Sequence, residues 1–542
     1  MNIKNWRDVL ARIFWLWIFT TAHAMGEPHS TRQKLVFCSE GSPETLAPNL
    51  SFSATSVDIY ATIFDTLVTH ARGETNLIPG LAEHWQISND GKEYTFFLQR
   101  GVKWQSNAFF QPTRNLNADD VIFTIDRQWK PEHPYHHVTS ANHVYFNAVG
   151  FGTLVKSMVK IDDHTLKFTL NEPNAAFLSM MTLTFTGIQS HEYAMRMLAK
   201  GTPEIIDTHP IGTGPFSFVS YEKDRKIVFK SFLEYWRGRA RIDDLEFLIT
   251  PSATERWEKL QSNVCQVMPY PNPNDLVNMR GHPNVTVLEQ AGLNVGYLAY
   301  NTTKAPFNDV RVRRALNMAI DKQAILDHIF QGTGIRAINP VPPTMWSHNK
   351  NVKDDVFDPV TAKRLLKEAG FPNGFATELW VMPIARAYNP NPLLTGQMIQ
   401  ANLAEIGVFV KIKSPEWREY SRRMALGEHQ MGLLGWTTGQ GDPDAFFYNL
   451  LSCEVAKANG PNVAKFCYPP YNDLILRART IANPSLRIPL YEEAQLIFKE
   501  QAPWLTIAHS NQQVVVRNEV SNFRLSPFGR HLFYGVELKP NP

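Results

Sequence analysis

Two carboxylates lie close together in the stretch GWTTGQGDPDAFF, residues 435–447, behind a tryptophan and a glycine-rich loop. Asp442 and Asp444 are spaced so that they could bind a cationic group, but no nucleophile, phosphate loop or metal cluster adjoins them. Asp442 followed by Pro443 also fits the start of a helix, with Asp444 in the first turn, where the helix dipole favours negative charge. The pattern favours this structural role and leaves a ligand-binding role for Asp442 open.

Catalysis by an exported hydrolase is the alternative from another functional class. The stretches HPIGTGPF and QGDPD contain polar residues that a hydrolase could use. However, the chain has no G-x-S-x-G elbow and no H-E-x-x-H helix, the patterns that position a serine nucleophile or a catalytic zinc ion. We therefore expect a protein that is not an enzyme.

The stretch PEHPYHHV raises the alternative of a metal receptor. His133, His136 and His137 are close enough in sequence for their imidazoles to share a metal ion. A short loop with two prolines more often holds solvated histidines, and no cysteine completes the set. The sequence therefore favours a protein without a bound metal.

The first 24 residues have the pattern of a secretory signal peptide. Basic residues precede an apolar run at 13–19, which is too short to span a bilayer. Ala22-His23-Ala24 fits the small-x-small rule, so we expect cleavage after Ala24, an uncleaved anchor being the alternative. The pattern predicts an exported protein.

Export makes the four cysteines candidates for disulfides, because an oxidising compartment preserves such bonds. Four cysteines allow three pairings, and the sequence alone does not choose among them. The short separation of Cys453 and Cys467 favours a local loop closure, which would leave Cys38 to pair with Cys265. No CxxC or CxxH spacing occurs, so a zinc site is not indicated.

Length and composition indicate a globular protein of more than one domain. The chain has 542 residues, of which 44% are hydrophobic and 19% are charged, whereas single cores stop growing near roughly 250–300 residues. A net charge of +3 is too small to indicate a nucleic-acid partner. Beyond the N-terminal segment, no apolar run is long enough to cross a membrane.

Strand and helix patterns alternate along the chain, which indicates an α/β architecture. The stretches KLVFCSEGSPETLAP, GKEYTFFLQRGVKW and IDDHTLKFTLNEP predict strands bounded by turns. Helices are predicted in NADDVIFTIDRQW with Asn117 as N-cap, in NDVRVRRALNMAIDKQAILDHIF, and in DPVTAKRLLKEAGF with Asp358 as N-cap and Gly370 as the stop. The strand GLNVGYLAYN, followed by a helix, predicts that a new domain begins near residue 292.

Eight motifs follow one another along the chain: VFCSEGSPETLAP, IPGLAEHWQISNDGKEYTFFLQRGVKW, NADDVIFTIDR, HPIGTGPFSF, CQVMPYPNP, GLNVGYLAYN, PPTMW and GDPDAFF. Taken together, they resemble the motifs of the periplasmic dipeptide-binding proteins of peptide ABC transporters, in family 5 of the extracellular solute-binding proteins. They run through nearly the whole mature chain in the family's order and spacing. The resemblance is specific to the family but less specific to a ligand, because oligopeptide, nickel, haem, glutathione and antimicrobial-peptide receptors share it.

The resemblance implies an α/β periplasmic binding protein with two lobes, three domains and a cleft that closes about a hinge. Lobe I would comprise residues 25–62, 217–291 and 511–542, domain II residues 63–216, and lobe III residues 292–510. The resemblance also implies the disulfides Cys38–Cys265 and Cys453–Cys467. The expected partners are a short peptide or peptide-like ligand and an inner-membrane ABC permease, with no cofactor and no nucleic acid, and the protein is expected to be a monomer.

The resemblance also assigns candidate ligand-binding residues. Arg386, in MPIARAYNPNP, matches the position at which dipeptide-binding proteins place an arginine against the ligand carboxylate. A guanidinium suits this role because it binds a carboxylate bidentately and stays protonated. Tyr388 and Trp436 would line the pocket. Aligned without a gap, WTTGQGDPD puts Gly439 where the family has the aspartate that binds the peptide ammonium, so this anchor is missing.

A second departure from the family lies in LSFSATS. Dipeptide-binding members tend to have Thr-Ser-Gly where this chain has Phe52-Ser53-Ala54, on a segment expected to face the cleft. Phe52 is much larger than threonine, and Ala54 disfavours the positive φ that glycine allows. With Arg386 retained and Gly439 in place of an acid, the sequence points to ligands with a carboxylate but no conventionally placed α-ammonium. A haem or glutathione receptor of the same family is therefore the alternative to a dipeptide receptor.

Overall fold

A computed structural model of the chain describes residues 32–51, 53–140 and 143–539. The predicted signal peptide and Phe52 lie outside the described residues. Gln33–Pro542 forms one compact unit. Within the described ranges, no helix is both long enough and apolar enough to span a membrane.

The strands are β1 (Lys34–Ser39), β2 (Val68–His70), β3 (Leu77–Pro79), β4 (Ala82–Ile87), β5 (Glu93–Leu98), β6 (Val155–Asp162), β7 (Thr165–Leu170), β8 (Phe216–Glu222), β9 (Lys226–Ser231), β10 (Asp244–Ile249), β11 (Val267–Pro269), β12 (Val285–Ala291), β13 (Asn294–Tyr300), β14 (Gly334–Arg336), β15 (Phe375–Trp380), β16 (Val408–Lys413), β17 (Met431–Thr437), β18 (Trp504–Arg517), β19 (Val520–Ser521) and β20 (Glu537–Leu538).

The helices are α1 (Ala54–Ile63), α2 (Ala118–Trp129), α3 (Val144–Ala148), α4 (Phe151–Leu154), α5 (Phe177–Met180), α6 (His191–Ala199), α7 (Ile205–Thr208), α8 (Ala253–Gln261), α9 (Leu276–Arg280), α10 (Val310–Ala319), α11 (Lys322–Ile325), α12 (Pro359–Glu368), α13 (Pro392–Glu405), α14 (Trp417–Leu426), α15 (Asp444–Leu451), α16 (Pro469–Arg479) and α17 (Pro484–Gln501).

Local capping explains where two of the predicted helices begin. Asn117 caps α2 by accepting a hydrogen bond from the backbone of Asp119, and Asp358 caps α12 by accepting one from Thr361. These N-caps are confirmed. The helix predicted over 308–330 is wrong in its extent, because Ile320 has extended backbone angles that end α10, and a new helix follows.

The strands form one 12-stranded sheet, a separate 4-stranded antiparallel sheet in the order β4-β5-β7-β6, and two 2-stranded sheets, β2-β3 and β19-β20. We use lobe I for β1, β8–β12 and the segment after β18, lobe III for β13–β17, and domain II for the region of the 4-stranded sheet and its helices. β18 belongs to both lobes: its residues 504–508 pair with β13 and its residues 511–517 pair with β12. One continuous strand therefore crosses from lobe III into lobe I.

The segment between β12 and β13 is the second connection between the lobes. Asn294, at the start of β13, bonds it to β18. The Asn294 side chain donates to the carbonyl of Ser510 at 2.9 Å, and its Oδ1 accepts from the Ser510 backbone N–H at 2.8 Å. Gly292 permits this close approach, because a Cβ there would lie 2.3 Å from the Asn294 amide nitrogen and 2.8 Å from the Ser510 carbonyl oxygen. The two chain segments that cross between the lobes, β18 and the residues between β12 and β13, are thus joined to each other at the crossing point.

The sheet of lobe III is covered on both faces, which explains the nearly continuous apolar sequence of β13. Alternate residues of this strand enter two different cores, with Val295 and Tyr297 in one and Leu298 and Tyr300 in the other. Lobe I and domain II have apolar cores of their own, each rich in phenylalanine.

The disulfides implied by the resemblance are confirmed. Cys38 in β1 is bonded to Cys265, which precedes β11, and Cys453 is bonded to Cys467. The first bond joins segments 227 residues apart in sequence, and the second closes a local loop of lobe III.

His509, in β18 next to the crossing, is expected to make the fold sensitive to acid. Its Nδ1 lies 2.7 Å from the Asn294 carbonyl oxygen, and burial lowers the pKa of His509 to about 4 from 6.5. Because the folded pKa lies below the unfolded one, its stabilisation is present above pH 6.5 and is lost as the pH falls towards 4. The full loss is about 3 kcal/mol.

We expect His509→Gln, whose amide can keep the bond to Asn294, to reduce the fall in unfolding free energy between pH 6.5 and pH 4. Urea denaturation across this range measures it. The exposed His328→Gln, also in lobe III, is the matched control and should leave the pH dependence unchanged. Equal pH profiles for wild type and His509→Gln would contradict the assignment.

Candidate ligand-binding cleft

Arg386 lies in a tight loop of lobe III between β15 and α13. Its backbone N–H donates to the carbonyl of Asn389 at 3.0 Å, and the N–H of Asn389 donates back to the carbonyl of Arg386 at 2.9 Å. The Asn391 side chain caps α13, which fixes the far end of the loop. The Arg386 side chain is exposed, and its Cζ lies 5.0 Å from the centre of the Trp417 ring, within cation–π range.

Tyr388 packs against two glycines that face each other in the sheet, Gly296 of β13 and Gly435 of β17. A Cβ on Gly435 would lie 2.2 Å from the Tyr388 ring, and a Cβ on Gly296 would lie 2.2 Å from the Tyr388 carbonyl oxygen. Only glycine permits such an approach, so the pair positions Tyr388 beside Arg386. Burial raises the pKa of Tyr388 to about 12, and the charge of Arg386 partly offsets this.

Tyr270, which follows β11 in lobe I, lies opposite this loop. Burial raises the pKa of Tyr270, the carboxylates of Glu40 and Asp58 raise it further, and the positive charge of Arg386 lowers it. The charge of Arg386 thus acts on Tyr270, although the two residues belong to different lobes. Within the described residues, Glu40 Oε2 is buried without a hydrogen-bond partner. Tyr270 and Glu40 therefore supply polar groups on the lobe I side of Arg386.

Trp436 is half-buried in β17 and pairs with Val295 of β13. Its ring packs on the core of lobe III, and its Nε1 is buried without a hydrogen-bond partner among the described residues. A buried indole N–H usually has an acceptor. Trp436 therefore presents an unused donor one residue beyond the glycine that supports Tyr388.

The loop after β17 is attached to the crossing between the lobes, because the backbone N–H of Thr438 donates to the carbonyl of Leu293 at 3.1 Å. Gly439 follows. A Cβ at Gly439 would lie 2.9 Å from the Tyr145 hydroxyl and 3.0 Å from Leu183 Cδ2, both in domain II. Gly439 therefore lies where lobe III contacts domain II, and a side chain there must displace one of these neighbours.

Asp442 has a carboxylate that is fully engaged within the protein. Two guanidinium nitrogens of Arg487 donate to its two oxygens, each at 2.7 Å, and the pair is buried. Asp442 Oδ1 also accepts from the backbone N–H of Asp444 at 2.9 Å. Helix α15 begins at Asp444, one residue later than expected. The geometry supports the structural role predicted for Asp442 and does not support its assignment as a ligand-binding residue.

Asp444 is paired as well. Arg479 Nε lies 2.9 Å from Asp444 Oδ1, and both side chains are buried. Burial raises the pKa of Asp444 to about 6, and the charge of Arg479 opposes the rise. Neither aspartate of the glycine-rich stretch is therefore left to receive a ligand ammonium group.

Ser53 and Ala54 lie at the N-terminal end of α1, in lobe I. Ala54 is the first helical residue, where the negative φ of an ordinary residue suffices, so this backbone does not need glycine. The next residue, Thr55, donates to Glu40 Oε1 at 3.0 Å. This contact places the start of α1 beside Glu40, on the side of the cleft opposite Arg386.

The histidines considered for a metal site make local contacts. His136 Nδ1 lies 3.1 Å from the Arg127 carbonyl oxygen, and His133 Nδ1 accepts from the backbone N–H of Tyr135 at 3.2 Å. Across the described ranges, no group of three histidine, cysteine, aspartate or glutamate side chains is arranged to hold a metal ion.

Sequence reasoning gave no role to Tyr145, Tyr270 or Arg530, which the fold brings to the candidate site. Arg530 donates to the carbonyl of Gly439 at 3.3 Å from 91 residues further along the chain. Tyr270 lies inside the recognised motif CQVMPYPNP, so the motif could have directed attention to it. No local pattern marks Tyr145 or Arg530.

Residues 76–458 match the family model described as bacterial extracellular solute-binding proteins, family 5 Middle. The chain is also 48% identical over 506 residues to the dipeptide-binding protein of Escherichia coli (strain K12), covering 93% of this chain and 94% of that relative. The chain belongs to the bacterial extracellular solute-binding proteins of family 5. This confirms the family inferred from the motifs.

Two further family 5 relatives are similar over nearly the whole chain. Heme-binding protein A of Haemophilus influenzae is 43% identical over 510 residues, covering 94% of this chain and 93% of that relative. The solved dipeptide-binding protein from Pseudoalteromonas sp. SM9913, in complex with Met-Leu, is 36% identical with a TM-score of 0.85, covering 94% of this chain and 100% of that one. The expected two-lobed α/β fold is confirmed.

Asp442→Asn is expected to lower the free energy of unfolding by about 3–5 kcal/mol, because it leaves the buried Arg487 guanidinium without its counter-charge. Urea denaturation measures the change. Adding Arg487→Met to the variant should recover part of the loss, since the unpaired charge is then gone.

The exposed Asp473→Asn, in α16 of the same lobe, is the matched control and should change stability by less than about 0.5 kcal/mol. If Asp442→Asn kept wild-type stability and lost ligand binding instead, the structural role of Asp442 would be refuted.

Proposed function

We propose that this family 5 protein is a periplasmic receptor that captures a dipeptide or short peptide-like ligand and delivers it to an inner-membrane ABC importer. The ligand is held without covalent bonds in the cleft between lobe I and lobe III. Support comes from the relatives named for dipeptides and from the polar groups that face each other across the cleft. The chain acts as a binding protein and not as a hydrolase.

The proposal rests on Arg386, which has no counter-charge of its own in the part of the chain that the structure describes. Its guanidinium is exposed, stacks on Trp417, and has no ion pair to a carboxylate within the described residues. A fixed arginine without a counter-charge is suited to a ligand carboxylate, which it can bind through two parallel hydrogen bonds. Tyr388 holds the loop side of the pocket, and Tyr270 faces it from lobe I.

The two chain segments that cross between the lobes allow the cleft to close. A ligand that touches both lobes binds the closed form better than the open one, and so shifts the population towards closure. β18 and the segment between β12 and β13 are the connections about which such a rotation takes place. In this proposal the domain boundaries at residues 292 and 510 coincide with these two crossings.

A haem or glutathione ligand is the alternative within the same family. It is favoured by the relative named heme-binding protein A and by Gly439, which supplies no carboxylate for an α-ammonium group. Both ligands carry carboxylates, so the role of Arg386 is the same in either case.

The proposed role of Arg386 is tested with dipeptides that have a free C-terminal carboxylate and with the same dipeptides as C-terminal amides. Isothermal titration calorimetry should show tighter binding of the free acids by about 10-fold or more, because a charge-assisted hydrogen bond contributes roughly 1.5–3 kcal/mol. Arg386→Gln should abolish this preference. The exposed Arg314→Gln, in α10 of the same lobe, is the matched control and should keep it.

Haem, followed by its Soret absorbance, and glutathione are titrated in parallel. Haem or glutathione binding without dipeptide binding would replace the dipeptide assignment by the alternative. Absence of binding to dipeptides, haem and glutathione alike would overturn the proposed function.

A further inference from the structure

Arg530 is a second cation at the candidate cleft, and its charge is not balanced locally. It lies on the segment after β18, partly buried, with its Cζ 5.1 Å from the centre of the Phe528 ring. Its guanidinium donates to two carbonyl oxygens over long distances, 3.3 Å to Gly439 and 3.5 Å to Thr182. Its Nε is buried without an acceptor among the described residues.

The groups around Arg530 do not supply a counter-ion. Asp58 is the carboxylate that acts on it, but the two Asp58 oxygens already accept from the backbone N–H and Nδ1 of His531, at 2.8 Å and 2.6 Å. His70 packs on the same Phe528 ring, and burial together with the Arg530 charge lowers the pKa of His70 to about 3. The carboxylate that acts on Arg530 is therefore already paired with His531.

A cavity of about 120 Å³ adjoins Arg530. Since one water needs only about 10–15 Å³, the space accommodates a carboxylate group or several waters. Arg72 and Arg237 line the same cavity, whereas the acids that line it are Asp65 and Glu74. Asp65 already accepts hydrogen bonds from Trp236, Thr213 and Tyr235, so three arginines face two acids, one of which is engaged within the protein. Positive charge is thus in excess around the cavity.

Gly439 leaves the lobe III side of Arg530 without a side chain. As glycine it adds no side chain between Arg530 and the Tyr145 hydroxyl, and it presents only its carbonyl to the guanidinium. Gly439 occupies the position at which the family resemblance places the aspartate that binds the peptide ammonium, so a ligand held at its carboxylate by Arg386 would direct its other end towards Gly439 and Arg530.

We propose that Arg530, with Gly439 and the adjoining cavity, forms an anion subsite that binds a second carboxylate of the ligand. This inference deepens the proposed function and rests on it. The ligand class is a peptide-like molecule with a carboxylate at each end, one for Arg386 and one for Arg530. Arg530 is then a specificity-determining residue that selects against an ammonium group at this position.

The test uses two matched probes, N-acetyl-Ala-Ala and N-succinyl-Ala-Ala. Both lack the α-ammonium group, and only the succinyl compound adds a second carboxylate. Calorimetry on the full mature chain is expected to show tighter binding of the succinyl probe by about 10-fold or more. Arg530→Gln should bring the two affinities together, and Arg530→Lys should keep part of the difference.

Two controls separate charge from structure. Arg524→Gln removes an exposed arginine from the same segment and should preserve the preference for the succinyl probe. Gly439→Asp places a carboxylate beside Arg530 and should abolish the preference for the succinyl probe. Gly439→Asn introduces a side chain of the same size as aspartate, which crowds Tyr145 equally but carries no charge, and it should keep the preference.

The outcomes distinguish this inference from the proposed function. If both probes bind equally to the wild type, or if Arg530→Gln weakens both by the same factor, Arg530 is structural and the inference is overturned while the receptor role stands. If neither probe nor any dipeptide binds, the proposed function and the inference both fail.

Discussion

The hydrogen bonds between Asn294 and Ser510 hold together the two strands on which both lobes depend. Asn294 satisfies the carbonyl and the N–H of Ser510 at once, at 2.9 Å and 2.8 Å, in a buried position. Such groups are costly to leave unpaired away from water. Gly292 makes the approach possible, because any Cβ there would overlap the Asn294 amide. Lobe I, lobe III and the loop that follows β17 all take their positions from this point.

The glycine-rich loop after β17 connects the crossing segment to the candidate site. Thr438 is bonded to the crossing segment through Leu293, and two residues past Gln440 the chain is fixed again by the buried pair of Asp442 and Arg487. Between these attachments, Gly439 is brought against domain II and Arg530. The loop therefore presents a backbone carbonyl and no acidic side chain at a point where three parts of the protein meet.

The distribution of charge then separates structural from functional groups. Asp442 and Asp444 have arginine partners and are buried, so they stabilise lobe III and have no charge to offer a ligand. Arg386 and Arg530 have no carboxylate of their own within the described residues. In the proposed site, two such cations would favour anionic groups on a ligand, because burial strengthens electrostatic interactions by excluding water.

The sequence by itself determined much of this protein. Motifs in a fixed order identified the family, and alternating apolar residues predicted strands such as β5 and β7. Asn117 and Asp358 predicted where α2 and α12 begin. These features depend on local chemistry or on long stretches of sequence, and both can be read along the chain. The site was only partly predictable. A motif predicted Arg386, Tyr388 and Trp436 as candidates. No motif predicted the pairing of Asp442 with Arg487, 45 residues later, or the contact of Arg530 with Gly439, 91 residues earlier. Only the tertiary structure decided these, because a carboxylate or guanidinium has the same covalent chemistry whether or not the fold supplies its counter-charge.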